Sequence, residues 1–79
     1  MKEWQPIHVR CRVHIRGDED DLDAYTIVPP AEAEPRSGKI SSESPLGRAL
    51  LGRRMGERVV INAPGRSYTV TITAIEEPS

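Results

Sequence analysis

Two histidines and the single cysteine of this chain, His8, Cys11 and His14, are spaced so that they could bind a metal ion. Imidazole nitrogen and thiolate sulfur are the usual protein ligands of zinc. The same residue types could also form a cysteine nucleophile with a histidine base. Both kinds of site require the side chains to converge on one point, so the backbone between residues 8 and 16 decides whether either can form.

That backbone is predicted to be a β-strand, because residues 8–16 alternate between polar and apolar side chains. Successive side chains of a strand point to opposite faces of the sheet. Cys11 should therefore face the core, while His8 and His14 face the other side. The pattern predicts no metal site and no thiol catalyst here, and Cys11 is expected to be a small core residue.

Three arginines, Arg10, Arg12 and Arg16, lie on the polar side of the same predicted strand. Such a basic face could contact nucleic acid or an acidic protein. No aromatic residue is interleaved for base stacking, and the net charge of −1 gives no overall attraction to phosphate. We therefore favour a solvated face, keep a protein contact as the alternative, and expect no sequence-specific binding of nucleic acid.

Residues 18–23 form an acidic segment that should stay in solvent as a hairpin loop, because its like charges repel each other. A calcium loop has its glycine at the sixth position, whereas Gly17 precedes the acidic residues here. The pattern therefore indicates a solvated loop. No residues in the chain predict a metal or another cofactor.

Length and composition indicate one small domain spanning residues 1–79, with a correspondingly small core. A single cysteine cannot form an internal disulfide. No apolar run approaches the roughly 18 residues of a membrane span, and the polar start shows no secretory leader. We expect a cytoplasmic domain that does not bind membranes.

Only the stretch around residues 44–52 has the pattern of an α-helix. Ser44 can cap its start, and Pro45 suits the first helical position. Leu46, Ala49 and Leu50 form one apolar stripe, while Arg48 points the opposite way. The helix is too short to be stable alone and must pack against other elements.

The other regular segments are predicted to be strands, at residues 24–28, 39–41, 58–63 and 68–75. If Ala63 pairs with Arg66, then Ile61 meets Tyr68 and both apolar sides lie on one face. The predicted fold is therefore α+β, with an antiparallel sheet of four to five strands packed on one short helix.

Residues 39–52, followed by 56–61 and 63–65, resemble the C-terminal domain of the GreA/GreB transcript-cleavage factors. The specific match covers residues 38–75 of the single domain, with residues 1–7 as a lead-in and residues 76–79 as a tail. The resemblance implies an FKBP-like sheet that wraps around a short helix. This agrees with the fold predicted from the residue patterns.

The resemblance also implies a function. In that family this domain docks on RNA polymerase at the rim of the secondary channel, partly through the turn before the helix. The matching positions are Glu43, Ser44 and Pro45, with Glu43 where relatives often have Asp or Asn. The family's long coiled coil precedes this domain, and its acidic tip is needed for transcript cleavage. Only a few residues precede the first predicted strand here, so we expect docking without cleavage activity.

Two alternatives remain at this point. An FKBP-like shape suggests a peptidyl-prolyl isomerase, but that pocket is lined by aromatic residues, and this chain has no Phe, one Trp and two Tyr. We therefore expect no enzyme. A generic RNA- or protein-binding module could instead use Arg10, Arg12 and Arg16. The sequence leaves the oligomeric state open.

Overall fold

The computed structural model describes residues 6–78. Its strands are β1 (Arg12–Gly17), β2 (Leu22–Val28), β3 (Lys39–Ser41), β4 (Arg58–Ala63) and β5 (Arg66–Glu76); the helix is α1 (Pro45–Leu50). Two short 3₁₀ turns, Pro30–Glu32 and Pro35–Ser37, lie between β2 and β3. Within this part of the chain, no helix is long and apolar enough to cross a membrane.

The five strands form one sheet in the order β3-β2-β1-β5-β4. The five-stranded sheet and its one short helix are as predicted. Three strand pairs are antiparallel, but β2 and β3 run parallel, which corrects the wholly antiparallel prediction. Pro29 and Pro30 cannot donate to a ladder, so β2 ends there. The connection between residues 29 and 38 then brings Lys39 back beside Thr26, two residues before the end of β2, and β3 therefore runs in the same direction.

The β4–β5 hairpin has the predicted register, with Ala63 opposite Arg66 and Ile61 opposite Tyr68. Its two-residue turn is Pro64-Gly65, and Gly65 has a φ of 81°. A type II turn requires a positive φ at this position, which glycine adopts without strain. The turn chemistry and the strand alternation thus specify the same pairing.

The core lies between the sheet and α1. Leu50 is fully buried, and α1 packs mainly on β4. The buried apolar residues are Ile7, Cys11, Val13, Ile15, Ile27, Val28, Leu50, Val59, Ile61, Val70 and Ile72. As predicted, Cys11 is a core residue.

The first strand begins at Arg12 rather than at residue 8, which corrects the prediction from alternation. Arg10 has a φ of 81°, and the Cys11 amide donates to the His8 carbonyl at 3.1 Å. This bond closes a β-turn that interrupts the alternation. Val9 is consequently exposed, although the strand pattern predicts it in the core.

Residues at the predicted lead-in and tail take part in the described fold. Residues 1–5 and 79 lie outside the described residues. Ile7, in the predicted lead-in, is buried, and its backbone bonds to Gly52 and Arg53. β5 extends to Glu76, one residue into the predicted tail. The segments next to both predicted ends are therefore part of the packed structure.

Candidate protein-docking site

The chain turns sharply between β3 and α1, and side-chain and backbone bonds fix the turn. The Ser44 hydroxyl donates to the Ser41 carbonyl at 2.7 Å and accepts from the Gly47 amide at 3.1 Å. The Ser42 amide donates to the Val28 carbonyl at 2.8 Å. We call Glu43, Ser44 and Pro45 the Ser-Pro corner. Because the hydroxyl of Ser44 bonds to both β3 and α1, the corner is held in one conformation.

The three corner residues are exposed to different degrees. Glu43 and Pro45 are exposed, while Ser44 is half-buried and its hydroxyl is already hydrogen-bonded. Of the three residues predicted to contact a partner, Glu43 and Pro45 thus present their side chains to solvent. The geometry instead makes Ser44 the residue that positions the other two.

Gly47 allows the helix to approach β3 closely. A Cβ atom at this position would lie 2.1 Å from the Ser41 carbonyl oxygen, far inside van der Waals contact. The glycine is needed here for space, since no positive φ is involved. This backbone contact and the Ser44 cap together fix the orientation of α1 beside the corner.

An open groove of about 400 Å³ adjoins the corner. Its lining residues are Glu43, Pro45, Arg48, Ala49, Arg53, Val60 and Asn62. Val60 is 57% exposed, on the outward face of β4. Exposed apolar side chains beside charged ones are typical of protein–protein contact surfaces. The groove extends the candidate surface beyond the predicted corner.

Val60 and Arg48 were not among the predicted site residues. A signal for Val60 exists in the sequence, because its neighbours on the outward face of β4, Arg58 and Asn62, are both polar. Val60 faces away from the core, so core packing does not explain its apolar side chain. Its proximity to the helix, however, depends on how α1 packs on β4.

The predicted basic face is partly neutralised by carboxylates. Arg10 donates from both terminal nitrogens to the carboxylate of Glu32, at 2.7 and 2.8 Å. The bond from Arg10 lowers the pKa of Glu32, and the same pair raises the pKa of Arg10. Arg16 lies 3.9 Å from Asp20, while Arg12 is exposed on β1. Arg10 also precedes the strand, so the three arginines do not form the continuous row that alternation predicts.

The acidic hairpin is shorter than predicted, since β2 already begins at Leu22. Residues 18–21 are exposed. A cleft of about 630 Å³ separates this loop from β5, and its lining includes Tyr25, Tyr68 and Asp21. Arg66 covers the ring of Tyr68 at 4.6 Å, so a cation already occupies the tyrosine face.

His8, Cys11 and Glu77 come together where the turn before β1 meets the end of β5. The prediction that strand alternation keeps His8 away from Cys11 is therefore wrong, because the turn at Arg10 breaks the alternation. The same prediction is right for His14, which pairs with Glu76. Burial raises the pKa of the Cys11 thiol, which disfavours an activated nucleophile. The hydrogen bond to Glu77 raises the pKa of His8.

Comparison with known proteins identifies the family. The family model described as "Transcription elongation factor, GreA/GreB, C-term" matches residues 3–77. Transcription elongation factor GreA of Bacillus cytotoxicus is 48% identical over 60 residues, which are 76% of this chain and 36% of that protein. GreA of a Roseiflexus species is 42% identical over 71 residues, covering 89% of this chain and 45% of the relative. The chain thus spans less than half the length of these curated relatives.

Solved structures show the same fold. Gfh1 of Thermus aquaticus superposes with a TM-score of 0.83 at 28% identity, over 94% of this chain and 50% of the other. GreA/GreB of Nitrosomonas europaea gives a TM-score of 0.76 at 25% identity, over 92% of this chain and 62% of that one. The family match covers nearly the whole chain, and the sheet and helix superpose. This chain therefore belongs to the GreA/GreB family of transcription elongation factors, in the part that the family model describes as C-terminal.

Proposed function

We propose that this chain is a docking domain that binds RNA polymerase at the rim of the secondary channel through the Ser-Pro corner. The observation that carries the proposal is the exposure of Glu43 and Pro45 at the positions where the family resemblance puts the polymerase contact. The adjoining groove, with Arg48 and Val60, enlarges the contact surface. The biological role is that of a transcription elongation factor domain, and a cytoplasmic location follows from this partner.

The chemistry of the corner suits a protein partner. The exposed carboxylate of Glu43 can accept a charge-assisted hydrogen bond from an arginine or lysine. Pro45 has a fixed ring and loses little conformational entropy when it is buried. The Ser44 bonds hold both residues in place before binding, which lowers the entropic cost of association.

The domain acts, in this proposal, by occupying the polymerase surface. Stimulation of transcript cleavage is not assigned to it. The family resemblance attributes that activity to a helical stalk that precedes this domain, and not to the domain itself. Docking of this kind requires neither a cofactor nor a catalytic residue.

The test is a direct binding measurement between the 79-residue chain, fluorescently labelled, and purified bacterial RNA polymerase core at low salt. Glu43→Lys and Pro45→Ala should each weaken binding by about tenfold or more, as expected for central interface residues. Matched controls are Glu19→Lys and Pro64→Ala, which make the same changes at exposed positions in other loops. These controls should bind like the parent chain.

The proposal fails if the folded chain shows no affinity for the polymerase, or if the corner variants and their controls bind equally. A domain that binds RNA through the basic face would behave differently. It would lose RNA affinity on the double change Arg10→Ala with Arg12→Ala, and its binding would fall steeply with salt. That result, with unchanged binding by Glu43→Lys, would favour the alternative.

A further inference from the structure

Three residues with different metal-binding groups lie together at one end of the sheet. One ligand atom each from His8, Cys11 and Glu77 falls within 4.8 Å of the others. The Nε2 atom of His8 is 3.0 Å from a carboxylate oxygen of Glu77. We propose that this cluster, the HCE cluster, is a binding site for a zinc-type divalent cation. The site is independent of the Ser-Pro corner.

Two of the ligands are positioned by a local turn. His8 and Cys11 are the first and last residues of the β-turn closed by the bond from the Cys11 amide to the His8 carbonyl. Their spacing, with two residues between the ligands, is the short spacing common in zinc sites. The positive φ of Arg10 is the backbone feature that brings both side chains to the same side. The turn therefore positions two of the four ligands of a tetrahedral site.

The third ligand has an unsatisfied oxygen. The Oε2 atom of Glu77 is buried and has no hydrogen-bond partner among residues 6–78. A buried carboxylate oxygen without a partner is costly, and such groups in native proteins call for an explanation. Cys11 is fully buried beside it. A bound cation would compensate both the carboxylate oxygen and a thiolate at this position.

The geometry and the ligand chemistry favour zinc over magnesium or calcium. Zinc–ligand bonds of about 2.0 to 2.3 Å put ligand atoms of a tetrahedral site about 3.5 Å apart. From separations of up to 4.8 Å, the cluster would contract by about 1.3 Å at most, and the ring of His8 is half-exposed and can adjust. Thiolate and imidazole select zinc or cobalt, whereas magnesium and calcium prefer oxygen. Three protein ligands leave a fourth position for water or an external ligand.

Cobalt(II) is the spectroscopic probe for this site. The reduced, metal-free 79-residue chain should bind one Co²⁺ with a thiolate-to-cobalt charge-transfer absorption, and Zn²⁺ should remove that absorption by displacement. Zn²⁺ should also raise the Tm, because it binds only the folded arrangement that brings Glu77 to two ligands lying 66 and 69 positions before it. Mg²⁺ should change neither signal.

Substitutions distinguish Co²⁺ binding at this cluster from incidental Co²⁺ binding by other surface residues. His8→Ala, Cys11→Ala and Glu77→Gln should each weaken Co²⁺ binding at least about tenfold. Loss of a residue that only hydrogen-bonds to a metal ligand already lowers metal affinity by about that factor. His14→Ala and Glu76→Gln are matched controls, because this pair lies on the neighbouring strand positions outside the cluster. The controls should bind like the parent chain.

The proposal is overturned if no thiolate-to-cobalt absorption appears, or if the controls lose as much affinity as the cluster variants. Equal effects of Mg²⁺ and Zn²⁺ on the Tm would also overturn it. Because Cys11 is buried, its replacement also changes core packing. The comparison of Glu77→Gln with Glu76→Gln therefore carries the decision, with circular dichroism showing that both remain folded.

Discussion

At the scale of single residues, Ser44 determines how the candidate docking surface is presented. Its hydroxyl donates to β3 and accepts from α1, so one side chain connects the strand, the turn and the helix. Glu43 and Pro45 flank it and are exposed. A substitution at Ser44 should therefore act on stability, whereas substitutions at its neighbours should act on binding.

Ser44→Ala should lower the free energy of unfolding by about 1 kcal/mol, the usual cost of removing a serine N-cap. Urea denaturation followed by circular dichroism measures this change. The matched control is Ser67→Ala, which removes an exposed hydrogen bond to Asn62 in the β4–β5 hairpin. An equal, small effect of both variants would show that the cap contributes nothing beyond a surface hydrogen bond.

The ion pair of Arg10 with Glu32 predicts a pH dependence. Arg10 lowers the pKa of Glu32 in the folded state, so the pair stabilises the fold at pH values above the ordinary carboxyl pKa. That contribution is lost as the pH falls through the lowered pKa. In an NMR titration, Arg10→Gln should move the pKa of Glu32 upward, whereas Arg12→Gln should leave it unchanged. An unchanged titration in Arg10→Gln would contradict the pairing.

At the scale of elements, α1 depends on its neighbours. A helix of six residues is not stable in isolation. It is held by the fully buried side chain of Leu50 and by the close approach of Gly47 to the carbonyl of Ser41. The orientation of the helix, and with it the groove beside Val60, follows from this contact.

Gly47→Ala should lower the free energy of unfolding by about 2 kcal/mol or more, because a new methyl group would overlap a backbone oxygen that cannot move alone. In a domain of this size each kcal/mol shifts the Tm by about 4–8 °C. The control is Gly17→Ala at the end of β1, whose added methyl group would lie nearest to the exposed side chain of Asp21 and not to backbone. A Tm for Gly47→Ala equal to that of the control would contradict the close contact.

At the scale of the whole molecule, the segment before β1 packs against the turn after α1 and adds Ile7 to the core. Ile7 is buried, its amide donates to Arg53 at 2.8 Å, and its carbonyl accepts from Gly52 at 2.9 Å. These bonds connect the start of the described chain to the turn after α1. The domain therefore uses contacts between distant parts of the sequence to complete its small core.

Ile7→Ala should lower the free energy of unfolding by about 2–4 kcal/mol, as expected when a buried isoleucine is truncated. Val9→Ala is the matched control, because Val9 is exposed and its truncation should change stability by less than about 0.5 kcal/mol. Thermal and urea unfolding measure both. If the two variants are equally stable, Ile7 is not a core residue.

The sequence by itself determined the features that depend on nearby residues. The N-cap and first-turn proline located α1, and the Pro64-Gly65 turn with its flanking alternation specified the β4–β5 register. Both rest on bonds between residues close in sequence, so residue type and spacing suffice. The capped turn at Ser44 was predictable for the same reason. A polymerase contact through the Ser-Pro corner rests on the resemblance to the Gre family and stays a prediction.

Only the tertiary structure decided which distant residues meet. Alternation predicted Val9 inside and His8 away from Cys11, but the left-handed conformation of Arg10, a non-glycine residue, reversed both. His8 then meets Glu77, 69 positions away, and Val60 lines a groove with α1. Such contacts depend on the path of the whole chain. They also depend on the backbone conformation at Arg10, which residue type does not specify, so sequence patterns could not predict them.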